Sequence, residues 1–230
     1  MMVLLRCAIR MLLVGQSVLD DAEAAAGQAE EAATASRKKR RVAAENGGSI
    51  PSAPLSLEAT ASLPGHVHCV AAVAWARAET VFSGGWDHSV RRYDVESRTN
   101  TDTYNGSKAV YAVAAPADGS SSSLVAFGGS DKVLRVWDTR GVSGEGVAVK
   151  AYAAHEGWIS SVSWRPDSSC HVVTGGHDGA VKLWDIRTAV PLGSLQQHQE
   201  DSKVLCVGWW GGQTLASGGS DCRVQLYSMP

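Results

Sequence analysis

Four stretches of this sequence align with one another without a gap, and that repetition limits the fold more than any other feature. They read Ser83-Gly-Gly-Trp86-Asp87-His-Ser-Val-Arg-Arg-Tyr93-Asp94, Phe127-Gly-Gly-Ser130-Asp131-Lys-Val-Leu-Arg-Val-Trp137-Asp138, Thr174-Gly-Gly-His177-Asp178-Gly-Ala-Val-Lys-Leu-Trp184-Asp185 and Ser217-Gly-Gly-Ser220-Asp221-Cys-Arg-Val-Gln-Leu-Tyr227-Ser228. The shared aspartates lie 44, 47 and 43 residues apart. In three repeats a histidine (His66, His155 or His198) stands 21 to 23 residues before the aspartate. A fixed period of this length marks a supersecondary unit that cannot bury its apolar face alone and must stack on copies of itself.

The period and the closing Trp-Asp pairs are similar to those of WD repeats, each of which builds one four-stranded blade of a β-propeller. Alternating apolar runs follow the histidines, as in Val70–Trp75, Ile159–Trp164 and Val204–Trp209. A second run ends in Gly-Gly and a third in Trp or Tyr, so each repeat reads as successive strands joined by turns. Glycine at the pair is expected to allow close strand approach and a positive φ before the turn. The fold class is therefore all-β, a propeller with four recognisable repeats over residues 61–230.

The first sixty residues differ in kind. They carry 7 basic and 7 acidic side chains and no aromatic, whereas all seven histidines and all eight tryptophans come later. A segment without aromatics and rich in Ala, Glu, Gln and Gly cannot bury enough area to offset its ordering entropy. Residues 15–60 are expected to be a disordered linker or insertion. Within it, Arg37-Lys38-Lys39-Arg40-Arg41 reads as a nuclear import signal in preference to a solvated charge run or a nucleic-acid patch. An acidic stretch at Asp20-Asp21-Ala-Glu23 argues against an organellar transit peptide. No apolar run reaches the ~18–20 residues that cross a bilayer. The five cysteines, odd in number and without a CxxC spacing, fit neither a disulfide framework nor a zinc ribbon and point to a reducing compartment. A net charge of −2 gives no general electrostatic reason to bind nucleic acid.

His155, Thr174 and Asp178 look like a set for nucleophilic catalysis. The same set recurs with an aromatic partner as His66, Ser83, Asp87, Tyr93 and as His198, Ser217, Asp221, Tyr227, while Trp184 completes the third repeat. An enzyme needs one such set, not three in register, so we read them as hydrogen-bond chains inside blades and expect no catalysis. The second repeat keeps Asp131 and Trp137 but has Phe127 at the hydroxyl position and no histidine before Lys108, so its blade is expected to rely on packing. His66-Val-His68-Cys69 is set aside as a metal site because alternate strand residues face opposite ways. Neither metal, cofactor nor small-molecule substrate is expected, nor a membrane. Trp86 and His177 precede the turn aspartates and Trp158 and Lys203 begin first strands, which places all four on one loop face as candidate partner-binding residues.

At the level of a family, residues 61–230 resemble the C-terminal half of the WD-repeat protein twelve family. The resemblance rests on Ser-Gly-Gly-Trp86-Asp-His-Ser-Val-Arg-Arg-Tyr-Asp-Val-Glu96-Ser; on a following repeat without Gly-His that begins Gly106-Ser-Lys108-Ala-Val; on His155-Glu-Gly-Trp158-Ile-Ser-Ser-Val-Ser-Trp164; and on Asp201-Ser-Lys203-Val-Leu-Cys-Val with terminal Ser220-Asp and Tyr227. The basic run before Gly65-His66 is similar to the charged insertion between that family's third and fourth blades. Residues 1–14 would then be a remnant of the preceding blade, with Leu12 at the terminal Trp position and Arg6 replacing the Asp.

The resemblance implies a nuclear and nucleolar WD subunit that acts with pescadillo and the block-of-proliferation protein on the pre-ribosomal particle of the large subunit and its rRNA. It also implies seven blades and an N-terminal ubiquitin-like domain that engages the ATPase midasin. Four repeats and no such domain are recognisable here, so a partial or open ring, a fragment of the family's propeller, is expected. A second reading starts from Trp137-Asp-Thr-Arg140 and Trp184-Asp-Ile-Arg187, which fit the Trp-Asp-x-Arg signature of substrate receptors for cullin-type ubiquitin ligases.

Overall fold

The computed structural model describes residues 59, 61–77, 79–116, 123–140, 148–188, 190–196, 198–199 and 201–229. The readings placed on residues 1–58, including Arg37–Arg41, lie outside them. All regular structure among the described residues is β-strand, arranged in four antiparallel sheets. The first blade is β1 (Val70–Arg77), β2 (Thr80–Gly85), β3 (Ser89–Asp94) and β4 (Thr99–Asn105). The second is β5 (Val110–Ala114), β6 (Leu124–Gly129), β7 (Val133–Asp138) and β8 (Ala148–Ala153). The third is β9 (Ile159–Trp164), β10 (His171–Gly176), β11 (Val181–Asp185) and β12 (Pro191–Leu195). The fourth has three strands, β13 (Val204–Trp210), β14 (Thr214–Gly219) and β15 (Val224–Ser228). Within every sheet the strands pair in sequence order.

Burial explains why these sequences make strands of different character. The second strands of the first three blades, TVFSGG, LVAFGG and HVVTGG, are buried at every position after the first, and in each the apolar residues of one face pack on the following blade. Their apolar runs are accordingly near-continuous. β14, with no described blade after it, is only half buried.

The core is divided among the junctions. One cluster joins Ala74, Phe82 and Val90 of the first blade to Val110, Val113 and Phe127 of the second. Another joins Leu134, Val136 and Tyr152 to Ile159, Trp164 and Trp184. A third joins Val173 and Val181 to Val204, Val207 and Leu215. First strands of successive blades lie side by side, β1 by β5, β5 by β9 and β9 by β13, while β1 and β13 form no junction. The stack is open. Val90, Leu134 and Val181 are fully covered by the next blade, whereas their counterpart Val224 is 72% exposed. At the other end Val70 and Val73 are exposed where Val110, Val113, Ile159 and Val204 are buried.

The glycine pairs correct one expectation. The positive φ falls not before the turn but on the residue after the aspartate: His88, Lys132, Gly179 and Cys222, at 67°, 65°, 76° and 62°. The paired glycines are required by space. A Cβ on Gly84 would meet Val110 and Val113 at 2.6 Å, and one on Gly128 would meet Ile159 at 2.7 Å, so the first glycine admits the next blade. A Cβ on Gly85 or Gly176 would instead strike the histidine and aspartate of its own blade.

Candidate functional site

Three blades place a histidine over the end of the second strand. His66 Nδ1 lies 2.9 Å from both carboxylate oxygens of Asp87, and its Nε2 is 2.6 Å from Ser83 Oγ. His155 is 2.9 Å from Asp178 and 2.8 Å from Thr174 Oγ1. His198 is 3.0 Å from Asp221 and 2.7 Å from Ser217. In the third blade the donors set the direction of the chain. Trp184 Nε1–H can only donate, and it reaches Thr174 Oγ1 at 3.0 Å. The ionised Asp178 can only accept, so His155 Nδ1–H donates to it, and in that tautomer of the neutral ring Nε2 accepts from the threonine hydroxyl.

Each aspartate also takes two backbone amides. Val67 and Ser89 donate to Asp87 at 3.2 Å, Glu156 and Ala180 to Asp178 at 2.9 and 3.2 Å, and Gln199 and Arg223 to Asp221 at 3.3 and 3.2 Å. Burial opposes the Asp87 charge, but His66, Ser89 and these amides outweigh it and hold the carboxyl at about 2. The same balance, with His155 as the main stabilising partner, pushes Asp178 well below the usual carboxylate range. Asp221 is lowered too, by His198 against burial. These are satisfied, ionised carboxylates built into turns.

The aromatic partners behave differently from blade to blade. Ser217 Oγ lies 3.2 Å from Tyr227 Oη, so the fourth blade has its last link. In the first blade that link is missing: among the described residues the buried Tyr93 Oη has no hydrogen-bond partner, which corrects its assignment to the chain of His66, Ser83 and Asp87. In the second blade Asp131 pairs with Arg135, four residues on, and accepts the Val133 amide at 3.4 Å. Phe127 replaces the hydroxyl and packs on Tyr104 at 5.1 Å between ring centroids, and Trp137 meets Phe82 edge-on at 6.3 Å.

Of the four candidate partner-binding residues, three come together. Trp158, His177 and Lys203 line an open recess of about 270 Å³ with Lys132, Glu156 and Gly157. Trp158 and His177 are 5.8 Å apart at an interplanar angle of 32°, and the His177 amide donates to the Trp158 carbonyl at 2.8 Å. Burial, then the Lys203 charge, lower the His177 pKa and favour its neutral ring. Trp86 occupies the equivalent place in the first blade, exposed and tied by its amide to the Cys69 carbonyl, outside this recess. Tyr111 was not singled out from sequence, yet it completes the aromatic row at 5.8 Å from Trp158. Arg140 and Arg187 each bind the aspartate two residues before them, at 2.8 and 2.6 Å, with their guanidiniums largely in solvent.

Comparison with known proteins agrees with this architecture. The family described as WD domain, G-beta repeat matches residues 57–94, 98–138, 146–185 and 189–228, one match per blade. The chain is 49% identical over 210 residues to a protein of Chlamydomonas reinhardtii named Ribosome biogenesis protein WDR12 homolog, an alignment covering 88% of this chain and 44% of the relative. Relatives of the same name from Oryza sativa and Arabidopsis thaliana are 42% and 41% identical, covering 88% and 74% of this chain and 45% and 38% of theirs. The chain thus spans less than half the length of these curated relatives. They carry the name of the family that the repeat motifs resemble, and by its four matched repeats the chain belongs to the WD-domain, G-beta repeat family.

Proposed function

We propose that this chain is a non-catalytic WD-repeat scaffold in ribosome biogenesis, supporting assembly of the large ribosomal subunit and maturation of its rRNA. Its partners are pescadillo and block-of-proliferation homologues on the pre-ribosomal particle, and its place of action is the nucleus, in nucleolus and nucleoplasm. The similarity to ribosome biogenesis proteins across the repeats carries this reading. The chemistry supports it as well. Each Ser/Thr–His–Asp set spends its hydrogen bonds within its own blade, and the aspartates are consumed by turn amides. A surface of turns and rims, one of them aromatic and cationic, is suited to binding rather than to bond making.

Affinity purification of the tagged 230-residue chain from its own cells, with mass spectrometry, tests the proposal. Recovery of pescadillo and block-of-proliferation homologues is expected. A cullin-ligase adaptor recovered in their place, and lost on alanine substitution of Arg140 and Arg187, would establish the ligase-receptor reading instead. Recovery of chaperones alone would overturn the scaffold role of this chain. Replacing Arg37 to Arg41 with alanine is expected to leave the chain in the cytoplasm.

A further inference from the structure

We propose that the recess around Trp158 is a docking site for an acidic linear segment of a protein partner. An apolar or aromatic side chain of the segment seats on the indole, and carboxylates meet Lys132 and Lys203. The proposal deepens the scaffold reading by naming the chemistry of one contact.

The site is built by the backbone. In β5 the pairing to β6 shifts between Val110 and Ala112, and Tyr111 is the extra residue of that bulge. Bulges redirect side chains, and this one sets Tyr111 against Trp158 of the next blade. His177 packs against the same indole in a tilted contact. The loop carrying Trp158 is pressed onto the turn beneath it, since a Cβ on Gly157 would lie 2.6 Å from the Asp178 amide nitrogen. The Glu156 amide is pinned by Asp178. Trp158 nonetheless stays 47% exposed. A large ring held by two neighbouring rings and still half-exposed loses little freedom on binding, which is the property of an interface anchor.

Charge selects the ligand. Lys132 and Lys203 line the recess, and neither forms an ion pair among the described residues. Lys132 is held in place by its main chain, at φ 65° with its carbonyl accepting the His155 amide at 3.1 Å. Two cations beside an aromatic shelf repel a basic ligand and attract carboxylates. Nucleic acid fits less well. Glu156 leaves the recess a local excess of one positive charge, enough for a short acidic segment, while residues 61–230 hold 14 basic against 16 acidic side chains and so offer no extended basic track for a phosphate backbone.

The test is panning of random dodecapeptides on phage against the immobilised 230-residue chain. Enriched peptides are expected to combine Asp or Glu with a Phe, Trp or Leu. A synthetic representative should bind at least tenfold more weakly to W158A and to K132E/K203E, and unchanged to W86A. Both lysines are on the surface, so the charge reversal tests the site without endangering the fold. No enrichment, enrichment of basic or uncharged peptides, or acidic peptides indifferent to both variants would overturn the proposal. Dodecauridylate bound through the same residues, with no acidic peptide enriched, would also overturn it and assign the recess to single-stranded RNA. Because the panning uses only the isolated chain, its outcome is independent of whether ribosome-assembly partners are recovered from cells.

Discussion

Gly175 on β10 lies beneath Val204 on β13 so closely that a methyl group added to the glycine would sit 2.6 Å from Val204 Cγ1. Val207 stands 2.9 Å from the same point, so the two valines cap one glycine and close the junction between third and fourth blades. Gly218 holds the corresponding position one repeat later, where an added Cβ meets only the Cys206 sulfur of its own blade, at 2.8 Å.

Gly175→Ala is therefore expected to lose about 1–3 kcal/mol, the usual range for overpacking a closed core. Gly218→Ala should lose clearly less, because its added Cβ meets one sulfur of its own blade where Gly175 meets two valines of the next. Urea denaturation of both variants followed by tryptophan fluorescence checks the contrast, and equal losses would refute the junction account.

The buried hydroxyls give opposite signs in two blades. Thr174→Val removes the group that joins Trp184 Nε1 to His155 Nε2, leaving two buried polar atoms unpaired at a cost of about 1–3 kcal/mol. Tyr93→Phe removes a hydroxyl that has no partner among the described residues and is expected to stabilise the first blade by up to about 1 kcal/mol. Thermal denaturation measures both changes; a destabilised Tyr93→Phe variant would show that the hydroxyl has a partner in solution.

Phe127 carries by packing what the hydroxyl networks do elsewhere. It is almost wholly buried against Tyr104, and Phe127→Ala should cost about 3–5 kcal/mol. Restoring a hydroxyl with Phe127→Ser should not recover this loss, because no histidine stands opposite to receive it.

Acid should act through the turn aspartates. Asp87 is held at about 2, and Asp178 and Asp221 are lowered as well, so the unfolded chain binds more protons than the folded one between the unfolded value, near 4, and the folded one. Their contribution is complete above about pH 5 and is lost as pH falls through 4 towards 2. Asp178→Asn should be less stable at pH 7 and should show a shallower fall in melting temperature below pH 4. Parallel profiles for the two proteins would remove Asp178 from this account.

Much of the fold was legible because a repeat states the same constraint several times. A single alternating run such as Val204–Trp209 fits many sheets, but its return at a fixed distance before each Gly-Gly-x-Asp leaves one strand order. The departure of the second repeat at Phe127 was legible for the same reason. Other features depend on distances that residue types do not encode. Tyr93 and Tyr227 occupy one repeat position, yet only Tyr227 comes within 3.2 Å of its serine. Tyr111 reaches Trp158 through a bulge, and a one-residue shift in pairing leaves no mark in an alternating pattern. The glycines were expected to allow close approach and a positive φ; the φ falls elsewhere, and what they supply is room for a valine, an isoleucine or a histidine that lies far away in sequence.

The glycine pairs also keep a record of adjacency. The second glycine answers to its own blade and should be intolerant wherever a histidine covers it, as at Gly85, Gly176 and Gly219. The first answers to whichever blade comes next, so its tolerance changes with the company the chain keeps. In a saturation library selected inside cells, Gly218 resisting substitution as strongly as Gly175 would mean that something with the shape of a blade stands against β14 and β15 in the working assembly. Genetics alone would then count the neighbours of this propeller segment.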